Sequence, residues 1–174
     1  MSSTGSTRGN PAVGDIVRSM VVIAVIILGL YGFGQLFTST PENKVKAIDY
    51  VSVVEQARPA ATFPLVAPES LPDGWRATSA RFQTAGWHLG VLTDDDDYVG
   101  LEQLKASPDR AIDRFAEGSR SDGTADVAGQ TWDVRTGPDD RVIYLRNENG
   151  LTTLINSSAS RSVVEDYIVS LSTS

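Results

Sequence analysis

The distribution of apolar and polar positions splits the chain into two regimes. Between Arg18 and Glu42 no Asp, Glu, Lys or Arg occurs for 23 residues, and Met20 to Phe33 reads MVVIAVIILGLYGF. At about 1.5 Å of rise per residue, roughly 20 apolar residues cross a hydrocarbon core of about 30 Å. Only a helix satisfies its own backbone groups in that medium. The pattern predicts a transmembrane helix over 19–41, with the lipid bilayer as its partner.

After Glu42 the period changes. Residues 42–58 place Val45, Ile48, Val51 and Val54 at mixed spacing, which predicts a juxtamembrane stalk, helical in part and ended by Pro59. Pro59, Pro64, Pro68 and Pro72 forbid a helix over the next stretch, and a Pro72-Asp73-Gly74 turn delivers Trp75 into the first strand. Alternation then predicts an antiparallel meander over Arg76–Gln83, Trp87–Thr93 and Tyr98–Leu104. Ser107, Pro108 and Asp109 form an N-cap, a first-turn proline and an acidic first turn, opening a helix through Glu117 with Ala111, Ile112 and Phe115 as its stripe. Four short strands follow at Thr124–Val127, Thr131–Thr136, Arg141–Arg146 and Leu151–Asn156, with Asn149-Gly150 as a type I′ turn signal before the last. Ser162 to Glu165 reads as a capping box for a closing helix whose face is Val164, Tyr167, Ile168 and Leu171.

The order β-β-β-α-β-β-β-β-α contains no repeated βαβ unit. The expected class is α+β, a mainly antiparallel sheet of about seven strands packed with two helices. Its predicted core draws on Trp75, Phe82, Trp87, Leu89, Val99, Leu101, Phe115, Trp132 and Leu154.

Composition places these parts. Residues 1–18 begin MSSTGSTRGNPAVG, with nothing to bury, and are expected to be a disordered cytoplasmic head. Arg8 and Arg18 before the span nearly balance Lys44 and Lys46 after it, so the positive-inside count decides little. A short head ahead of a long domain is a signal-anchor layout, which predicts residues 59–174 as an extracytoplasmic domain. Cleavage as a signal peptide is the rival, with Gly32-Phe33-Gly34 as a poor site inside the apolar run. The chain has no cysteine, which excludes disulfides, thiolate catalysis and a lipoprotein anchor. Residues 42–174 carry 13 Lys and Arg against 21 Asp and Glu, and such an acidic domain repels nucleic acid.

Few residues invite chemistry. His88 is the only histidine and sits mid-strand with Gly90 and Leu92, opposite Trp87 and Leu89. That placement predicts a half-buried side chain hydrogen-bonded to a neighbour, with a general base as the alternative. Asp94 to Asp97 offer oxygen ligands to a hard cation but lack EF-hand spacing, and a solvated turn is the expectation. Trp75, Trp87 and Trp132 suit core packing first and a ligand or partner surface second, with His88 beside them. Glu102 with Glu165 or Asp166 has the composition of a glycosidase pair, though spacing does not set their separation. Asn156-Ser157-Ser158 is a formal glycosylation sequon. No catalytic, metal or cofactor set emerges.

Arg18-Ser19-Met20 entering the span, Asp49-Tyr50, Pro64-Leu65-Val66-Ala67-Pro68 and Leu71 to Ser79 recur in order with Trp87-His88-Leu89-Gly90, Leu101-Glu102-Gln103, Gly129 with Trp132, and Thr152-Thr153. In these features the chain resembles a family of actinobacterial single-span membrane proteins whose conserved domain is catalogued as of unknown function. It departs in having Asp15 and Arg18 apart rather than as an Arg-Asp pair, and four aspartates where a turn with Pro, Asp and Gly is expected. The resemblance implies a membrane-anchored envelope protein and implies no catalytic residues; the expected location is single-pass in the plasma membrane, and no cofactor is expected. The element order is also similar to PsbP-like domains, a fold-level analogy silent on activity.

The expected role is a non-catalytic interaction or accessory domain with an envelope protein partner. The alternative is a binding module for a small apolar or lipid-like ligand between sheet and helix, and a hydrolase comes third. A closed, fully packed interface between the sheet and the last helix would favour the interaction domain, and an apolar cavity on the order of several hundred Å³ lined by Trp or Phe would favour the ligand reading.

Overall fold

The computed structural model describes residues 46–173, together with Met20 and Ile23, which are helical. The head predicted over 1–18 lies outside the described residues, as does the span over 19–41 apart from those two positions. Among the described residues no helix is long and apolar enough to cross a membrane.

The body opens with α1 (Tyr50–Ala57) and a 3₁₀ turn (Arg58–Ala60), followed by β1 (Ala67–Pro68). A meander of β2 (Arg76–Gln83), β3 (Gly86–Leu92) and β4 (Tyr98–Leu104) leads into α2 (Pro108–Phe115). A second run comprises β5 (Arg120–Val127), β6 (Gln130–Thr136), β7 (Val142–Glu148) and β8 (Leu151–Ser157), and α3 (Arg161–Val169) and β9 (Leu171–Ser172) close the chain. The seven long strands form one sheet in the order β2-β3-β4-β8-β7-β6-β5, antiparallel throughout. β4 and β8 join the two meanders, and β1 pairs with β9 in a separate ribbon. The class is α+β with a seven-stranded antiparallel sheet.

Turn chemistry sets the hairpins. Asn149 and Gly150 take φ of 52° and 81°, both left-handed, as a type I′ turn requires. Strand β5 begins at Arg120, four residues before the expected start. Its first half has no apolar alternation, and Gly123 at φ 96° carries the register shift that lets it pair with β6.

The strand alternation produces two apolar clusters, where one core was expected. On one face Trp87, Leu89, Val91, Val99, Leu101, Val134, Tyr144 and Ile155 pack under α1 and α3. On the other, Ile143, Leu145 and Leu154 pack against Ala111, Ala116, Ile112 and Phe115 of α2 and its end. The sheet is thus the middle of three layers. The faces are called here the inner, under α1 and α3, and the outer, under α2.

The stalk expected over 42–58 is, from Ile48 onward, part of this body. The Ile48 N–H donates to the Ala77 carbonyl at 3.0 Å, and Asp49 caps α1 by accepting from the Ser52 N–H. Tyr50, Val54 and Ala57 are buried in the inner cluster, and the Tyr50 hydroxyl donates to the Pro68 carbonyl at 3.0 Å. Their i, i+4, i+7 spacing is a core stripe that runs through a tyrosine and an alanine rather than through branched residues. A second correction concerns α3. Its N-cap is Ser160, and Glu165 accepts from the Tyr144 hydroxyl at 2.5 Å instead of closing a capping box with Ser162.

Candidate functional site

The inner face carries a cross-strand row of unusual polarity. Register aligns Phe82 with Trp87, Trp87 with Gln103, Gln103 with Thr153, and Thr153 with Arg146. The Arg146 guanidinium lies 5.7 Å from the centroid of the Trp132 ring on β6, and Trp132 aligns with Ala125 on β5. A face that elsewhere holds Val, Leu and Ile is here aromatic, polar and cationic, so the row needs partners.

Part of the row is satisfied by the proline-rich segment. Gln103 accepts from the Val66 N–H at 2.8 Å and donates to the Pro64 carbonyl at 3.1 Å, and the Trp87 indole donates to the Val66 carbonyl at 3.1 Å. These three bonds fix Pro64–Val66 above the sheet in place of a strand ladder. Beside that segment lies a cleft of about 1360 Å³. Gln103, Thr153, Arg146 and Trp132 line it from the sheet, Phe63 and Val66 from the proline-rich segment, and Ile168, Leu171 and Ser172 from the C-terminal elements.

Trp132 is 3% exposed, yet among the described residues its indole N–H has no acceptor. The buried hydroxyl of Ser172, another residue of the cleft lining, is equally unpartnered. The Tyr167 hydroxyl and Arg58 Nε share that condition outside the cleft lining. A buried donor left unmade costs about 1–3 kcal/mol, and two of the four such groups belong to residues of the cleft lining. Arg146 also pairs with Glu148 at 2.7 Å, and Lys105 donates to Thr62 at 2.6 Å on the lining. The cleft lining thus holds the Arg146 and Lys105 cations beside apolar side chains, and includes Trp132 and Ser172, whose unpartnered polar atoms are themselves buried.

The residues singled out in the sequence do not converge. Trp75 stacks on Tyr167, with centroids 6.2 Å apart, and Trp87 is 1% exposed and committed to Val66. Of the three tryptophans only Trp132 lines the cleft. Glu102 is on the outer face and Glu165 stands on α3 on the inner side, so the sheet separates that carboxylate pair. Burial first, and then the hydrogen bond from its hydroxyl to Glu165, push Tyr144 up to about 12. In the aspartate turn, Asp96 pairs with Arg76 and Asp97 accepts from Ser158 at 3.0 Å, so their carboxylates diverge. Among the described residues no three His, Asp or Glu side chains gather as a metal site requires. Asn156 is spent structurally, donating to the Phe115 carbonyl at 2.7 Å and accepting from Arg141 at 3.0 Å.

His88 belongs to the outer face. Its Nδ1 lies 2.5 Å from Glu102 Oε1 and its Nε2 2.8 Å from Ser79 Oγ, with side-chain exposures of 22% for His88 and 13% for Glu102. Ser79 was not singled out in the sequence. Its neighbour Thr78 is bulged out of the β2–β3 ladder, so that Ser79 aligns with Gly90. That bulge is the device that brings a β2 hydroxyl to the ring.

These features define an α+β domain whose seven-stranded antiparallel sheet is layered between helices and carries a cleft on one face. The chain belongs to the family described as protein of unknown function (DUF4245), whose model matches residues 8–171. No curated protein and no solved structure matches it. The PsbP-like analogy therefore rests on element order alone.

Proposed function

We propose that this protein is a recognition module of the cell envelope, anchored in the plasma membrane by residues 19–41, which binds a small amphipathic molecule in the Trp132–Arg146 cleft. The ligand carries a carbonyl or carboxylate acceptor that meets the Trp132 N–H and the Arg146 guanidinium. Its apolar part lies against Phe63, Val66, Ile168 and Leu171. The unpartnered Trp132 indole N–H carries this reading, because a buried donor in a fully packed interaction domain is expected to have an acceptor. The cleft, of about 1360 Å³, has Phe63 and Trp132 in a lining of both polar and apolar side chains, which suits an amphipathic molecule rather than a wholly apolar one. The charge-free interval before Glu42 supports the anchor.

The test is native mass spectrometry of the full-length chain lifted from its own membranes in mild detergent. A retained small molecule, lost in both Trp132→Phe and Arg146→Ala, supports the proposal. A bare chain mass, or a molecule retained equally by both variants, overturns it. A protein crosslinked to Phe63 or Leu171 in place of a small molecule would return the domain to the accessory reading.

A further inference from the structure

We propose that Ser79, His88 and Glu102 form an activated nucleophile that cleaves small esters on the outer face of the sheet, a second site independent of the cleft. An ionised Glu102 only accepts, so the contact at 2.5 Å places the proton on His88 Nδ1 and leaves the Nε2 lone pair facing Ser79 Oγ at 2.8 Å. This is the order of contacts by which a serine is made nucleophilic: hydroxyl to Nε2, Nδ1 to carboxylate. The three side chains stand on adjacent strands β2, β3 and β4, so the sheet itself holds their spacing.

A donor for the developing oxyanion lies beside them. Gly90 and Gly100 have no side chains on this face, and Tyr98 lies over both. A Cβ on Gly90 would sit 2.5 Å from Ser79 Oγ and 3.2 Å from the Tyr98 hydroxyl, and one on Gly100 would sit 2.7 Å from that hydroxyl. The two glycines therefore make the room in which the serine and tyrosine oxygens approach each other. Burial, and next the charge of Glu102, raise the Tyr98 hydroxyl above its ordinary range, against Arg141 and Arg81, so it stays a donor at neutral pH. On the other side of His88 a pocket of about 300 Å³ is lined by Arg81, Glu102, Leu104, Arg114 and Phe115. Its size suits a short acyl group. The two arginines, which have no ion-pair partner among the described residues, suit a carboxylate on that group.

In the reaction, Ser79 Oγ bonds to the ester carbonyl carbon as His88 Nε2 takes its proton, and the carbonyl oxygen, now negative, accepts from Tyr98. Collapse breaks the bond to the leaving alkoxide, which takes the proton from His88. Water then repeats the sequence on the acyl-serine, releasing the acid and restoring the Ser79 hydroxyl, so the net change is ester plus water to acid plus alcohol.

The test uses the full-length protein in detergent with an alkyl fluorophosphonate, read by intact mass and peptide mapping, and with 4-nitrophenyl acetate, read by nitrophenolate release. Attack on the phosphonate forms a phosphorus–oxygen bond at Ser79 and expels fluoride, leaving a single adduct. The expected result is one label at Ser79, absent in Ser79→Ala. His88→Gln and Glu102→Gln should label at least about a hundredfold more slowly. Tyr98→Phe should reduce nitrophenolate release at least about tenfold. Thermal melts establish that each variant is folded, and should one not fold, the remaining three decide. An unlabelled protein, a label at another residue, or an unchanged labelling rate in the folded His88 or Glu102 variants overturns the proposal.

Discussion

Replacing Trp132 by Phe isolates the one group on which the ligand reading depends. The substitution keeps an aromatic ring under Arg146 and removes the indole N–H. Among the described residues that N–H is buried without an acceptor, so its removal relieves a penalty of about 1–3 kcal/mol. The smaller ring forfeits buried area equivalent to one or two methylene groups, or about 1–2 kcal/mol. The two nearly cancel, and the net change should lie within about 1 kcal/mol. Trp87→Phe is the matched control, because that indole donates to the Val66 carbonyl at 3.1 Å. Removing it leaves a carbonyl unpaired as well as the packing deficit, which predicts a loss of about 2–4 kcal/mol. Pulse proteolysis across a urea series, on full-length chains in the same detergent, measures both against the parent. If Trp132→Phe costs as much as Trp87→Phe, the Trp132 N–H has a structural partner and the argument for a ligand there fails.

Three further outcomes follow from the packing and the titrations. Leu154→Ala, fully buried beneath α2, should cost about 2–5 kcal/mol in the same assay. Tyr50→Phe removes only the hydroxyl bonded to Pro68 and should cost about 1 kcal/mol, whereas a true stalk residue would be neutral. Tyr144 titrates near 12 in the fold against 10.0 unfolded, so its contribution is intact below pH 10 and is lost as pH rises towards 12. Urea midpoints measured from pH 9 to pH 12 should fall with pH, and fall less in Tyr144→Phe.

What could be read from the sequence was whatever depends on local period. β2 and β4 have the bounds that alternation predicts, and α2 opens at the Ser107-Pro108 signal. β5 was half hidden because Arg120, Ser121 and Asp122 are exposed and owe their strand geometry to β6, not to any apolar pattern of their own. The candidate sites were less legible because they depend on register and on what lies overhead. Trp87 and Trp132 are equivalent in the sequence, each a strand tryptophan near a turn. They differ because the Val66 carbonyl lies over one, while an open cleft lies beside the other. Ser79 reaches His88 only through the bulge at Thr78, and no spacing rule marks a bulge one residue before a serine.

The most direct measurement is the Nε1–H spectrum of the full-length protein in micelles, with nitrogen-15 on its three tryptophans. The Trp132 signal is assigned by its loss in Trp132→Phe. A lipid and small-molecule extract of the native membrane is then added. The account predicts that the Trp132 N–H moves downfield and becomes protected from solvent exchange as it gains an acceptor, while the Trp87 N–H, already bonded to Val66, stays where it was. A Trp132 signal that does not move, or that moves no more than that of Trp87, would contradict it.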